Sequence, residues 1–415
     1  MQSHRFCGAL ASLVFSFAGL AAAHAETSTL ARPLYGQDIV VESGTVLAAD
    51  GTRARATQVW RWTGIAKADQ GKGPDSGAAA AAPLPTAEKP ASQAPDGTTR
   101  WTAVHVKTGY RYQVDVPRDV ARELHRQMLK AGLTSGNRGS AEARAPAVGA
   151  EEPGTKGWSN GVDTRTRRFD NTAFPFRAMG QLDGDATSGC SGTLIGRRHV
   201  LTAAHCLYNR DTDTWYFNTL FRPGREGTCG TATCQPYGQH SGYWFFTPDA
   251  FRTSTTADDD FGILVLDTAP GDTTGWLGYV AIGESDLRDY CDDDASGDGH
   301  CFNRGYPACG FVEAPASCLQ GWAYQDTNNC QIGSFAALDA DGWNRRFSTA
   351  CDISRGHSGS AIYTDVWAGT DDVVVGVVST QACATCGPGD TYPNGIRRVT
   401  PETLAEIAWF KTNMP

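Results

Sequence analysis

Cysteine is missing from a long stretch of this sequence. None lies between Cys7 and Cys190, and the other 12 of the 13 fall from Cys190 to Cys386. An even set confined to one region of an exported chain points to a disulfide framework. A partner pair for Cys383-Ala-Thr-Cys386 is also missing, which argues against a zinc site. Positive charge is in deficit: 36 Lys and Arg face 45 Asp and Glu, a net charge of −9. A chain of that balance lacks the basic surface that displaces counterions from nucleic acid. Long apolar runs are missing too. Only the stretch from Gly8 to Ala23 comes near, and it falls short of the ~20 residues that span a bilayer.

That stretch follows Arg5 and ends in Ala23-His24-Ala25, a small-x-small cleavage site. It reads as a secretory signal peptide removed after Ala25. Export predicts a secreted protein, periplasmic where the host has an outer membrane, with no membrane contact once the signal is gone.

Residues 26–150 have their own texture. Lys67 to Thr99, with its run from Ala78 to Ala82, cannot bury enough apolar area to offset the entropy of ordering and reads as a linker. Strands are expected around Val59-Trp60-Arg61-Trp62 and from Trp101 to Val116, and a short amphipathic helix from Val116 to Leu133. Residues 134–157 return to Gly and Ala. From Trp158 onward short apolar runs, such as Phe261 to Leu266 and Val373 to Val378, alternate with Gly, Asp, Asn and Pro clusters. This is the pattern of antiparallel β-structure rather than of βαβ units. One helix is expected at Pro401 to Lys411, capped by Thr400.

Three segments carry chemistry. Hydrolysis by a serine at neutral pH needs a base, an acid that orients it, and donors for the developing oxyanion. The run Thr202-Ala203-Ala204-His205-Cys206 follows Gly192-Thr193-Leu194-Ile195, and Cys190 lies upstream. The run Cys351-Asp352-Ile353-Ser354-Arg355-Gly356-His357-Ser358-Gly359-Ser360 offers a serine in a turn between glycines. Asp258-Asp259-Asp260 runs into the apolar strand from Phe261, and Asp260 abuts it. An α/β-hydrolase elbow would need Gly at position 360 and the order Ser, acid, His, and neither holds.

These runs resemble the chymotrypsin-like serine proteases. The resemblance covers roughly residues 158–410. It implies an all-β fold of two six-stranded antiparallel barrels, which the residues themselves complete with a C-terminal helix and, ahead of the barrels, a signal peptide and a partly disordered pro-region. It implies His205 as general base, Asp260 as its orienting acid and Ser358 as nucleophile. The N–H groups of Gly356 and Ser358 would form the oxyanion hole, and Cys190 would bond Cys206. His199 lacks this context and reads as a strand residue. Protein or peptide substrates and a monomer are expected. The rival reading is a catalytically inactive trypsin-like module that binds a partner; such modules usually lose a triad residue, and all three places are filled here.

Within the family, the digestive branch has Asp just before the nucleophile, to pair with a newly freed terminal amine. Here His357 stands there, so that switch cannot work in the same form. Gly356-His357-Ser358-Gly359-Ser360 and the stretch from Gly161 to Ala178 resemble the bacterial glutamyl-endopeptidase (V8-like) branch instead. The branch's specificity His would fall at Val378, ahead of Ser379 and Thr380, which are expected to bind substrate backbone. Glu preference is therefore not expected. Asp352 is the candidate pocket residue for Arg or Lys, or else a loop Asp held by backbone donors. Residues 26–157 read as a propeptide removed near Lys156, or else as a retained N-terminal binding domain, and 158–415 as the protease domain. No cofactor is expected. Asp292 to His300 alternates oxygen ligands as a calcium loop would, but Asn303 stands where the closing Glu belongs, so a solvated acidic loop is preferred.

Overall fold

The computed structural model describes residues 36–47, 53–68, 97–130, 135–140, 163–184, 188–292, 299–311, 314–315, 317–327, 330–339, 341–367, 370–381 and 394–414. The signal-peptide reading, most of the two linker readings, residues 293–298 of the acidic loop and the Cys383–Cys386 pair lie outside them.

The N-terminal segment forms β1 (Ile39–Leu47), β2 (Arg53–Ile65), β3 (Lys67–Ala68), β4 (Thr98–His105), β5 (Tyr110–Pro117) and α1 (Arg118–Lys130). Alternation sets β5: Tyr112, Val114 and Val116 turn inward while Gln113 and Asp115 stay partly open. Pro117 closes the strand, and α1 starts at the next residue, with Asp119 in its first turn and Ala121, Leu124 and Met128 on its buried stripe. The helix begins two residues later than the sequence suggests, and residues 131–133 of the expected span lie outside the described residues.

After β6 (Arg165–Arg167) come β7 (Met179–Asp183), β8 (Ser188–Leu194), β9 (His199–Thr202), the short ribbon β10 (Tyr208–Asn209) and β11 (Thr214–Trp215), β12 (Leu220–Pro223), β13 (His240–Pro248), α2 (Asp249–Thr253) and β14 (Gly262–Leu266). Strands β7, β8, β9, β14, β13 and β12 pair in that cyclic order and close a six-stranded barrel. The chain continues through α3 (Gly271–Thr274), β15 (Gly278–Tyr279), α4 (Glu284–Cys291), β16 (Cys301–Gly305), β17 (Tyr324–Asp326), β18 (Ile332–Leu338), β19 (Asn344–Thr349), β20 (Ala361–Trp367), β21 (Thr370–Gln381), β22 (Asn394–Arg398) and α5 (Pro401–Asn413). These strands make a second, curled sheet in the order β18-β19-β22-β21-β20-β16-β17-β6, with β15 beside β21. Its path closes on no pairing among the described residues, so it is a half-barrel where the first is complete.

The N-terminal segment is woven into the first barrel. Strand β4 pairs antiparallel with β13 from Trp244↔His105 to Pro248↔Trp101, and extends the barrel sheet through β5 and β2 to β1. One apolar core joins Trp60, Trp101, Trp244, Phe246, Trp409 and Phe410, all fully buried. A second core lies in the half-barrel around Cys330–Cys351, Ile362, Val378 and Ile396. Thr400 Oγ1 accepts from Thr403 N (3.3 Å) and starts α5, the expected cap.

Candidate active site

Strand β9 delivers His205. It ends at Thr202, and the chain then turns through the buried Ala203 and Ala204 into a 3-10 turn that carries His205 and Cys206. Cys206 is bonded to Cys190 on β8, with Cα atoms 6.0 Å apart, so the turn is tied to the neighbouring strand. His199 lies inside β9, 3% exposed, and burial pushes its imidazole down to about 3. It is a strand residue, as its context suggested.

Asp260 leads into β14, which lies beside β9 from Gly262↔Thr202 to Val265↔His199. It is 2% exposed and makes a fork to His205. One oxygen accepts from the His205 backbone N–H (3.0 Å), and the other meets Nδ1 (2.7 Å). Ser379 Oγ donates to the second oxygen (2.6 Å). Burial alone would raise this carboxyl. The His205 charge and the hydrogen bonds from His205 and Ser379 outweigh it, so its pKa falls below the ordinary value. Asp258 and Asp259 are not free loop carboxylates: they pair with Arg346 (3.2 Å) and Arg345 (3.0 Å).

Ser358 sits in a turn seated on the same strands. Its carbonyl accepts from Ser191 N (2.7 Å). A Cβ on Gly359 would lie 2.1 Å from Thr202 Oγ1 and 2.3 Å from Ser191 O, and φ there is +81°, so only glycine fits. Gly359 N donates to Val378 O (2.8 Å), and Val378 N donates to Ser360 O (2.9 Å), which ties the turn to β21 one residue from Ser379. Gly356 is equally constrained: φ is +94°, and a Cβ would meet Tyr306 O at 2.3 Å. These bonds gather His205, Asp260, Ser358, Gly356 and Ser379 in one place between the barrel and the half-barrel.

Three residues at this place drew no functional reading from the sequence. Ser191 Oγ accepts from Tyr306 N (2.8 Å) and donates to Gly356 O (2.7 Å), so it fixes the peptide that follows Gly356. Asn303 Oδ1 faces His357 Nδ1 (2.9 Å), while its amide holds Ser360 Oγ (2.8 Å) and Ala361 O (2.9 Å). Arg165, locked to Asp163 by Nε and Nη2 (3.0 and 3.1 Å), reaches Ser354 Oγ (2.5 Å) and faces His357 Nε2 (3.5 Å). Burial, then the Arg165 charge, holds His357 well below the ordinary histidine range, so it is neutral. His357 Nδ1–H then donates to Asn303 Oδ1, and Arg165 donates to Nε2. A buried cation thus stands beneath the turn where another branch uses a terminal amine. Its only sequence signal was Asp163-Thr164-Arg165 inside the mature-start resemblance.

Asp352 does not open into a pocket. It is 1% exposed, and one of its oxygens accepts from Thr164 N (2.7 Å) and Thr164 Oγ1 (2.9 Å). Asp326 lies beside it, accepting from Asp352 N (2.7 Å). Burial and the Asp326 charge push the Asp352 carboxyl up to about 7. The loop reading of Asp352 therefore fits better than the pocket reading. Val378, also 1% exposed, brings no polar group to the site. Among the described residues the metal-ligand types Cys190, His205 and Cys206 cluster within 4.8 Å, but the two sulfurs are bonded to each other and are not thiolate ligands.

The model of the trypsin family matches residues 164–403, more than half of the chain. The chain belongs to the trypsin family. It is 37% identical over 130 residues to an "Extracellular metalloprotease" of Bacillus subtilis, covering 30% of this chain and 40% of that protein. It is 29% identical over 173 residues to a "Glutamyl endopeptidase" of Bacillus licheniformis, covering 42% of this chain and 52% of that one. The chain thus spans about half or less of the length of these curated relatives. Among solved structures it is similar to a Glu endopeptidase in complex with MPD (19% identity, TM-score 0.44, 60% of this chain and 97% of that one). It is also similar to the protease Anisep of Arthrobacter nicotinovorans (15% identity, TM-score 0.39, 57% and 95%). Membership fits the closed first barrel and the family resemblance of the sequence to the glutamyl-endopeptidase branch.

Proposed function

We propose that this trypsin-family chain is a secreted serine endopeptidase. The observation that carries the reading is the chain of contacts Ser379–Asp260–His205, with the Ser358 turn bonded to β21, which carries Ser379, and to β8, which the Cys190–Cys206 disulfide ties to the His205 turn. Asp260 accepts from Nδ1–H and so leaves Nε2 of His205 as the basic nitrogen. Nε2 takes the Ser358 hydroxyl proton as Oγ attacks the substrate carbonyl. The oxygen that becomes negative is met by the N–H groups of Gly356 and Ser358, aimed by the left-handed Gly356 and the Ser191 bond to its carbonyl. His205 returns the proton to the leaving amine, an acyl-enzyme remains on Ser358, and water releases it by the same steps in reverse.

Strand β21 supplies the backbone at Ser379 and Thr380 along which a substrate would align. Asp352 and Val378 offer that substrate no exposed charge, so neither Lys/Arg nor Glu preference is built on them. A peptide-library cleavage profile that is the same for wild type and Asp352→Asn agrees with this; a selective loss of cutting after Arg and Lys sinks it. Five disulfides among the described residues fit an exported protein: Cys190–Cys206, Cys229–Cys234, Cys291–Cys301, Cys309–Cys318 and Cys330–Cys351.

Ser358→Ala tests the reading. Turnover of casein should fall about 10⁶-fold, and covalent labelling by a fluorophosphonate should vanish. Equal activity in both proteins would return the chain to a binding role.

A further inference from the structure

We infer that the N-terminal segment, from Ile39 to Ser140, is a permanent wall of the catalytic body and not a plug that is shed. The first barrel closes on a seam of only two residue pairs. Strand β12 meets β13 only at Leu220↔Ser241 and Phe221↔His240. The edge of β13 from Trp244 to Pro248 is taken by β4 over five residue pairs. Without β4 that edge would be open to pairing with other chains.

The side chains lead to the same conclusion. Trp60 packs edge-on against Trp244 (5.3 Å) and Phe246 (5.6 Å), and Trp101 packs against Phe261 (5.3 Å) and Phe410 (4.7 Å). Phe261 is the residue after Asp260. Removing the segment would bare Trp244, Phe246, Trp409 and Phe410 on one contiguous patch, a surface that soluble proteins cover.

Polar bonds continue the seam. Trp101 Nε1 donates to Glu406 Oε1 (3.2 Å), and Arg118 pairs with Glu402 (3.2 Å). Asn137 and Trp276 exchange both backbone bonds (2.8 and 2.7 Å), and Ser140 N donates to Asp272 O (3.1 Å). A Cβ on Gly139 would lie 2.2 Å from Gly275 N, so the two glycines allow the chains to touch. None of the bonds at His205, Asp260, Ser358, Ser379, Gly356 or Ser191 described above comes from this segment. The described residues of the segment brace β13 and α5.

The test is a full-length chain with a site for a sequence-specific protease inserted between residues 141 and 157. After purification the chain is cut there and passed over a sizing column without denaturant. The inference expects both fragments in one peak at one-to-one ratio, at micromolar and at nanomolar load, with casein turnover within two-fold of the uncut chain. Trp101→Ala in the same cut chain should weaken the association by about 100-fold or more and release the N-terminal fragment at nanomolar load. Two results overturn the inference. One is an N-terminal fragment that elutes apart while the remainder keeps its full turnover. The other is turnover that rises on cutting, which would mark the segment as an inhibitor. The elution readout does not depend on activity, so it stands even if the protease reading fails.

Discussion

At the scale of single residues, the site divides into groups that the proposed reaction uses and groups that hold them. Asp260 is buried and spends both oxygens on His205 and Ser379. Asp260→Asn keeps the shape but offers an amide to Nδ1, which favours the wrong tautomer. Its kcat should fall about 10⁴-fold with KM little changed; a drop of less than ten-fold would show that the Asp260 contact does not set the tautomer. Arg165 acts through the turn and not on substrate. Arg165→Met should lower kcat, reduce the fraction of protein titratable by an active-site label, and leave KM near wild type, while Arg165→Lys restores part of both. A variant with a normal titratable fraction and normal kcat would show that the Asp163–Arg165 pair only fills space. His205 and Ser358 were legible because short runs surround them, and Asp260 because it abuts an apolar strand. Arg165, Ser191 and Asn303 were not. Their partners lie 192, 165 and 54 positions away in sequence, and a long-range hydrogen bond leaves no local pattern.

At the scale of elements, β6 is the strand that carries Arg165, and Thr164 anchors it. The Thr164 hydroxyl has one proton and faces two carboxylates, Asp352 at 2.9 Å and Asp326 at 2.5 Å. Two buried carboxylates at one hydroxyl cannot both ionise cheaply, so one proton stays on the pair. The folded Asp352 titrates at about 7, above its ordinary 3.8. The native state therefore binds a proton more tightly than the unfolded chain does. That contribution is whole below about 4 and is lost as pH rises through about 7. Wild type should lose thermal stability over that window, and Asp352→Asn should flatten the slope of Tm against pH. An unchanged slope, read by calorimetry from pH 4 to 8, would move the proton elsewhere. Sequence reading placed a carboxylate here and left it either to substrate or to a loop. The neighbour that decides its state, Asp326, sits on β17, and only the β17–β6 pairing brings it close.

At the scale of the whole molecule, the texture of residues 158–415 announced antiparallel β-structure, and the C-terminal helix was legible from Pro401 and its cap. The integration of the N-terminal segment was not. Trp60 and Trp101 read as isolated strand residues, because nothing in sequence links them to Trp409 more than 300 positions away, where one core gathers all three. That shared core makes a remote residue testable. Trp409 is fully buried, stacks on Trp60 at 6.5 Å, and meets Phe410 at 4.9 Å. Trp409→Ala should cost roughly 3–5 kcal/mol of stability while leaving kcat unchanged where the protein is folded. Because the core runs from β2 and β4 through the barrel to α5, the loss of turnover and the change in tryptophan fluorescence should shift together in urea. Two separated midpoints, with turnover outlasting the fluorescence change, would mean that the N-terminal segment melts off a barrel able to work without it.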